Sequence, residues 1–81
     1  MTEQEILGSI EKLVANIVKG KGLPVSKIDA STELLGGDVG IDSLDLAMLV
    51  RELEEVAGHD PFADGFIEFR TAGELAKLYA R

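Results

Sequence analysis

Cysteine is absent from the 81-residue chain, which excludes disulfides, thiolate catalysis and thiolate zinc sites. Without a disulfide the core alone must hold the fold, an arrangement suited to a reducing compartment. No apolar run approaches the roughly 18 residues that a membrane helix needs. The leading residues Met1-Thr2-Glu3-Gln4-Glu5 are acidic where a signal peptide would be basic. A cytoplasmic location with no membrane association is therefore expected. Basic residues are scarce: 8 Lys and Arg stand against 15 Asp and Glu, for a net charge of −7. That balance weighs against nucleic acid as a partner and favours a protein with a basic surface. The single histidine, His59, has no serine or cysteine arranged beside it in sequence. Neither G-x-S-x-G nor H-E-x-x-H occurs. With no nucleophile–base pair in view, the chain does not read as an enzyme.

What is present suffices for a core. Hydrophobic residues make up 46% of the sequence, which argues against disorder. The length fits a single domain over residues 1–81, expected to be monomeric. A first helix is predicted from Thr2 to Lys19, with Thr2 and Glu5 forming a capping box. Ile6, Leu7, Ile10, Leu13, Val14, Ile17 and Val18 make a wide apolar stripe along it. Gly20, Gly22 and Pro24 stop it. A long connection follows, with Leu23, Val25, Ile28, Leu34 and Leu35 as candidate pins to the core. Residues 31–35 are read as one short turn of helix, before the permissive Gly36, Gly37 and Gly40.

A second helix is predicted from Asp42 or Ser43 to Val56-Ala57, with Asp42 as N-cap and Gly58 as its stop. Leu46, Leu49, Val50, Leu53 and Ala57 recur on its core face. Phe62, Phe66 and Phe69 supply most of the aromatic mass of a short third piece. A last helix runs from Ala72 to Ala80, with Thr71 and Glu74 as a second capping box. No segment alternates with period two, so the fold class is all-α: three main helices, a short third helix, and a long loop between the first and second.

The stretch Gly40-Ile41-Asp42-Ser43-Leu44-Asp45 is the most informative. It places a serine at a helix start, where free N–H groups and the positive dipole end tolerate an attached phosphate. Taken alone, Ser43 reads as a helix cap. The glycines here lack the Lys-Ser/Thr of a P-loop, and Asp38 to Ser43 lacks the order of a calcium loop. No metal site is expected. Between Asp38 and Asp60, seven acidic residues face one basic residue, Arg51, so six of the seven net negative charges cluster around one element.

The run Gly40-Ile41-Asp42-Ser43-Leu44-Asp45-Leu46, followed by Glu52-Leu53-Glu54-Glu55, resembles the acyl carrier proteins. The resemblance covers nearly the whole chain and implies a four-helix carrier-protein bundle. It implies that Ser43 takes 4′-phosphopantetheine from coenzyme A, transferred by a phosphopantetheinyl transferase. The arm's thiol would then carry the cargo as a thioester, which accounts for a working protein without cysteine. Asp42 and Asp45 match flanking acidic positions that assist docking of the transferase. Glu54 and Glu55 match positions that meet basic patches on partner enzymes, charges that mainly speed and orient encounter.

The chain departs from the fatty-acid type at Leu46, Met48 and Arg51 and in the segment Asp60 to Phe66. The helical pattern puts Leu44 and Met48 on the outer face of the second helix, with Arg51 and Glu55 further along it. Such a face serves a partner that reads shape as well as charge. The expected function is a discrete acyl carrier in a specialised pathway, of polyketide, modified-lipid or related biosynthesis. Its partners would be an acyl- or aminoacyl-loading ligase or transferase and downstream synthases. A stand-alone peptidyl or aminoacyl carrier is the first alternative, and an unmodified acidic helical adaptor the second.

Overall fold

The computed structural model describes residues 2–24, 27–34, 40–65 and 67–80. Among these the helices are α1 (Glu3–Gly20), α2 (Ser43–Ala57) and α3 (Ala72–Tyr79). Each opens on a reciprocal capping box: Thr2 with Glu5, Asp42 with Asp45, and Thr71 with Glu74. In each box the cap side chain accepts from the third helical N–H, while the acidic side chain accepts from the cap N–H. Gly20 stays inside α1, and Gly58 ends α2 in the left-handed region at φ 79°.

Helix α1 lies against both α2 and α3. Its stripe of Ile6, Ile10, Val14 and Val18 is fully buried, whereas Leu7, Leu13 and Ile17 pack half-buried at the margins. Leu49 and Leu53 of α2 and Leu75 and Tyr79 of α3 complete the centre. Ala72 and Ala76 let α3 approach closely and are buried too. No helix among the described residues is long and apolar enough to cross a membrane.

The connection between α1 and α2 is pinned where Ile28 and Leu34 enter the core. Leu23 instead stays 42% exposed. Val25, Leu35, Gly36, Gly37 and Asp38 lie outside the described residues. The expected helical turn over residues 31–35 does not form at the described residues 31–34. Asp29 Oδ1 accepts from the Ser31 N–H and hydroxyl and from the Thr32 hydroxyl, making a tight turn. The chain then runs extended, so that Glu33 pairs with Thr71 in an antiparallel bridge. Leu34 N–H donates to Arg70 O at 3.0 Å, Ala72 N–H to Thr32 O at 2.9 Å and Gly73 N–H to Ala30 O at 2.9 Å. Helical geometry at Glu33 would forfeit this strap across the start of α3.

The expected short third helix is likewise corrected. Residues 60–65 form turns held by i→i+3 bonds, Ala63 N–H to Asp60 O and Gly65 N–H to Phe62 O. Asp60 Oδ1 takes the Phe62 N–H at 2.9 Å, and Pro61 has no N–H to extend a ladder. Three helices, not four, therefore stand among the described residues. Phe66 lies outside them.

Candidate functional site

Asp42, not Ser43, caps α2. Its Oδ1 accepts the Asp45 N–H at 2.9 Å, and Asp45 Oδ2 accepts the Asp42 N–H at 3.2 Å. Ser43 is thereby left as the first helical residue, exposed, with no hydrogen bond to its hydroxyl among the described residues. Neither its N–H nor that of Leu44 is taken up among the described residues. The result is an accessible hydroxyl at the positive end of a helix, with open donors beside it.

The approach to this point is tightly set. Ile41 is buried in the core, and Gly40 takes φ +89°, where a side chain would be strained and its Cβ would meet Leu23 at 2.9 Å. Lys21, the C-cap of α1, reaches across to the α2 start. Its Nζ donates to Gly40 O at 3.2 Å, pairs with Asp45 and lies 3.9 Å from Asp42. The Asp45 side chain is only 14% exposed, against 65% for Asp42. The Lys21 ammonium holds the Asp45 carboxyl below the usual carboxylate range, and Asp45 in turn pushes Lys21 up.

Helical spacing sorts the other site residues into two stripes. Ser43, Ala47, Val50 and Glu54 share one flank of α2. Ser43, Ala47 and Val50, with Leu46 beside them, form one side of an open, almost wholly apolar groove of about 360 Å³, closed opposite by Phe62 and Phe69. The groove wall is set from behind. The Phe62 ring lies 6.0 Å from Phe69 and 6.2 Å, edge-on, from Tyr79. Tyr79 donates its hydroxyl to Val50 O at 3.1 Å, tying α3 to α2. Burial, with Asp60 and Glu54 nearby, pushes the Tyr79 phenol up to about 12, so the donor stays protonated.

Leu44, Met48, Arg51 and Glu55 form the second stripe, facing outward. Leu44 is 71% exposed and Met48 52%. Glu54 and Glu55, adjacent in sequence, thus stand on different stripes, both exposed.

A family model described as a phosphopantetheine attachment site matches residues 11–79. The chain belongs to the acyl carrier protein family. Proteins of this family are not catalysts, and phosphopantetheine is bound to them covalently. The carrier protein is similar to MacpD, an acyl carrier protein from Pseudomonas fluorescens involved in mupirocin biosynthesis, whose structure was determined in solution. The two share 33% identity and a TM-score of 0.83, over 98% of this chain and 71% of that one. A comparison with curated proteins gives no match.

One contact of the site has no signal in the sequence. Lys21 reads as a cation at a helix C-terminus, and nothing local signals its reach to Asp45. The aromatic mass of Phe62 and Phe69 fits either the core or the wall of a pocket between helices, and the structure places both in the wall of the groove.

Proposed function

We propose that the carrier protein bears 4′-phosphopantetheine on Ser43 and delivers acyl thioesters to the enzymes of a specialised biosynthetic pathway. The observation that carries this reading is Ser43 itself, exposed at the first position of α2 and relieved of capping by Asp42. The residues present fit the group. A phosphodiester on Ser43 Oγ would meet open N–H groups and the positive helix end.

In loading, Ser43 Oγ forms a bond to the phosphorus that carries the pantetheine portion of coenzyme A. The P–O bond to the adenosine bisphosphate portion breaks, and that fragment leaves with the electron pair. The hydroxyl proton passes to a base on the transferase. When bound, the group supplies the thiol that a cysteine-free chain lacks. Tethering raises the cargo's effective concentration at each partner.

The groove beside Ser43 favours an acyl over an aminoacyl cargo. Its walls offer contact to an alkyl chain and little to compensate a desolvated ammonium. Likeness to a carrier involved in mupirocin biosynthesis supports a specialised pathway of polyketide type. The test is the intact mass before and after incubation with coenzyme A and a broad-specificity phosphopantetheinyl transferase. One added phosphopantetheinyl group is expected. No gain, from folded and initially unmodified protein, would overturn the reading.

Docking should be electrostatic in part. Replacing Glu54 and Glu55 together by lysine should slow loading about tenfold at low salt. The gap should close near 1 M salt, where the Debye length falls to about 3 Å. Unchanged low-salt rates, in protein shown folded by circular dichroism, would remove both glutamates from the docking surface.

A further inference from the structure

We propose that Lys21 is a positioning residue for the modification of Ser43, acting through Asp45 and the Gly40 carbonyl. The inference rests on Ser43 being the attachment residue. Lys21 stands on a rigid base: its N–H bonds to Ile17 O and Val18 O at the end of α1, and Leu23 N–H closes on Val18 O at 3.0 Å. From there one ammonium contacts groups on both sides of the serine, Gly40 O before it and Asp45 after it, with Asp42 3.9 Å away. Asp45 is already half of the box that caps α2. Lys21 is thus a third member of that box, and it fixes the box to a different helix. The serine's backbone becomes part of the body formed by α1 and the core, instead of a helix end free to fray.

Charge adds to the same conclusion. Asp45 is paired internally and barely exposed, so Asp42 is the carboxylate that an incoming enzyme meets beside Ser43. Removing the Lys21 charge would make this surface more negative, which would aid, not hinder, encounter with a basic transferase. The two contributions of Lys21 therefore separate kinetically. Loss of positioning lowers kcat, because a misplacement of about 1 Å can cost up to about 100-fold. Loss of the charge does not raise KM.

The experiment is steady-state loading with coenzyme A and the transferase, on wild type, Lys21→Met, Lys21→Arg, Asp45→Asn and the Lys21→Met/Asp45→Asn double variant. Rates are taken at a temperature where circular dichroism shows each variant folded. For Lys21→Met, kcat should fall about tenfold, with KM unchanged or lower. Lys21→Arg, which keeps a donor for both oxygens, should restore most of kcat. The double variant should be no slower than the slower single one, since both changes break one unit. A wild-type kcat in Lys21→Met would overturn the proposal. So would a raised KM alone, an arginine variant as slow as methionine, or a double variant whose losses multiply. Should Lys21→Met fail to fold, the arginine rescue measured against Asp45→Asn decides: arginine as slow as Asp45→Asn overturns it. Failure of wild type to gain any arm is a separate result, and it removes Ser43 as the site.

Discussion

Ser43→Ala should abolish loading completely while leaving the fold as stable as wild type. No mass is gained from coenzyme A and transferase, and the thermal midpoint moves by no more than about 2–4 °C, a change of about 0.5 kcal/mol in a domain of this size. The two halves of this result test different things. A serine at a helix start is ordinarily a cap, and removing a cap costs about 1 kcal/mol. Here the cap is Asp42, whose side chain already holds the Asp45 N–H. The Ser43 hydroxyl bonds to nothing among the described residues, so its removal strands no partner. Alanine is also a good helix former at an exposed position. A hydroxyl that contributes so little to the fold is available for chemistry. If Ser43→Ala still acquires the arm, attachment lies elsewhere. If the variant melts far below wild type, the hydroxyl has a structural role that the geometry does not reveal.

The contrast between Asp42 and Ser43 also shows what the sequence makes legible. A capping box needs only residues three apart, so the boxes of α1 and α3 and the Asp42 cap of α2 are legible in local pattern, and the structure completes the third box with Asp45. The same holds for the helical core faces, because period 3.6 is a local property. Within them the pattern does not tell buried from half-buried. Leu46 and Val50 follow the stripe of Leu49 and Leu53, yet they sit at its margin and line the groove. Ala72 and Ala76 give little sign of being core, because small residues announce packing weakly; their burial comes from the close approach of α3. The burial of Ile28 and Leu34 is legible, but the specific pairing of residues distant in sequence is not. Glu33 looks like part of a helical turn until its partner Thr71 is known. Phe62 suggests a short helix until Asp60 takes its N–H and the ring turns toward Tyr79. Lys21 and Asp45 each have a sufficient local explanation, which is why their pairing is invisible in sequence.

Gly73→Ala should be the most damaging single-methyl change in α3, with the opposite sign to Gly8→Ala in α1. Both glycines lie in helices, where alanine is favoured by up to about 1 kcal/mol. A Cβ on Gly8 meets nothing within 4 Å, so that gain is realised and the midpoint rises by a few degrees. A Cβ on Gly73 would lie 2.7 Å from Ala30 O, 2.8 Å from Ala30 Cβ and 3.1 Å from Ala30 Cα. Two of these atoms are backbone and the third is fixed to it, so no rotamer change relieves the overlap. The strap cannot slide either, because Gly73 N–H, Ala72 N–H and Leu34 N–H each bond across it. Ile28 and Leu34 hold its ends in the core. Relief means lifting the strap from α3 and weakening three bonds worth about 1 kcal/mol each. Less the helical gain, the net loss is about 2 kcal/mol, a fall of about 8–16 °C in the midpoint. Denaturant melts of both variants check this together. A Gly73→Ala chain as stable as wild type would mean that the strap is not held as its hydrogen bonds indicate. Arm loading should survive at temperatures where the variant is folded, since Ser43 is positioned from α1 through Lys21 and Ile41, not from the strap.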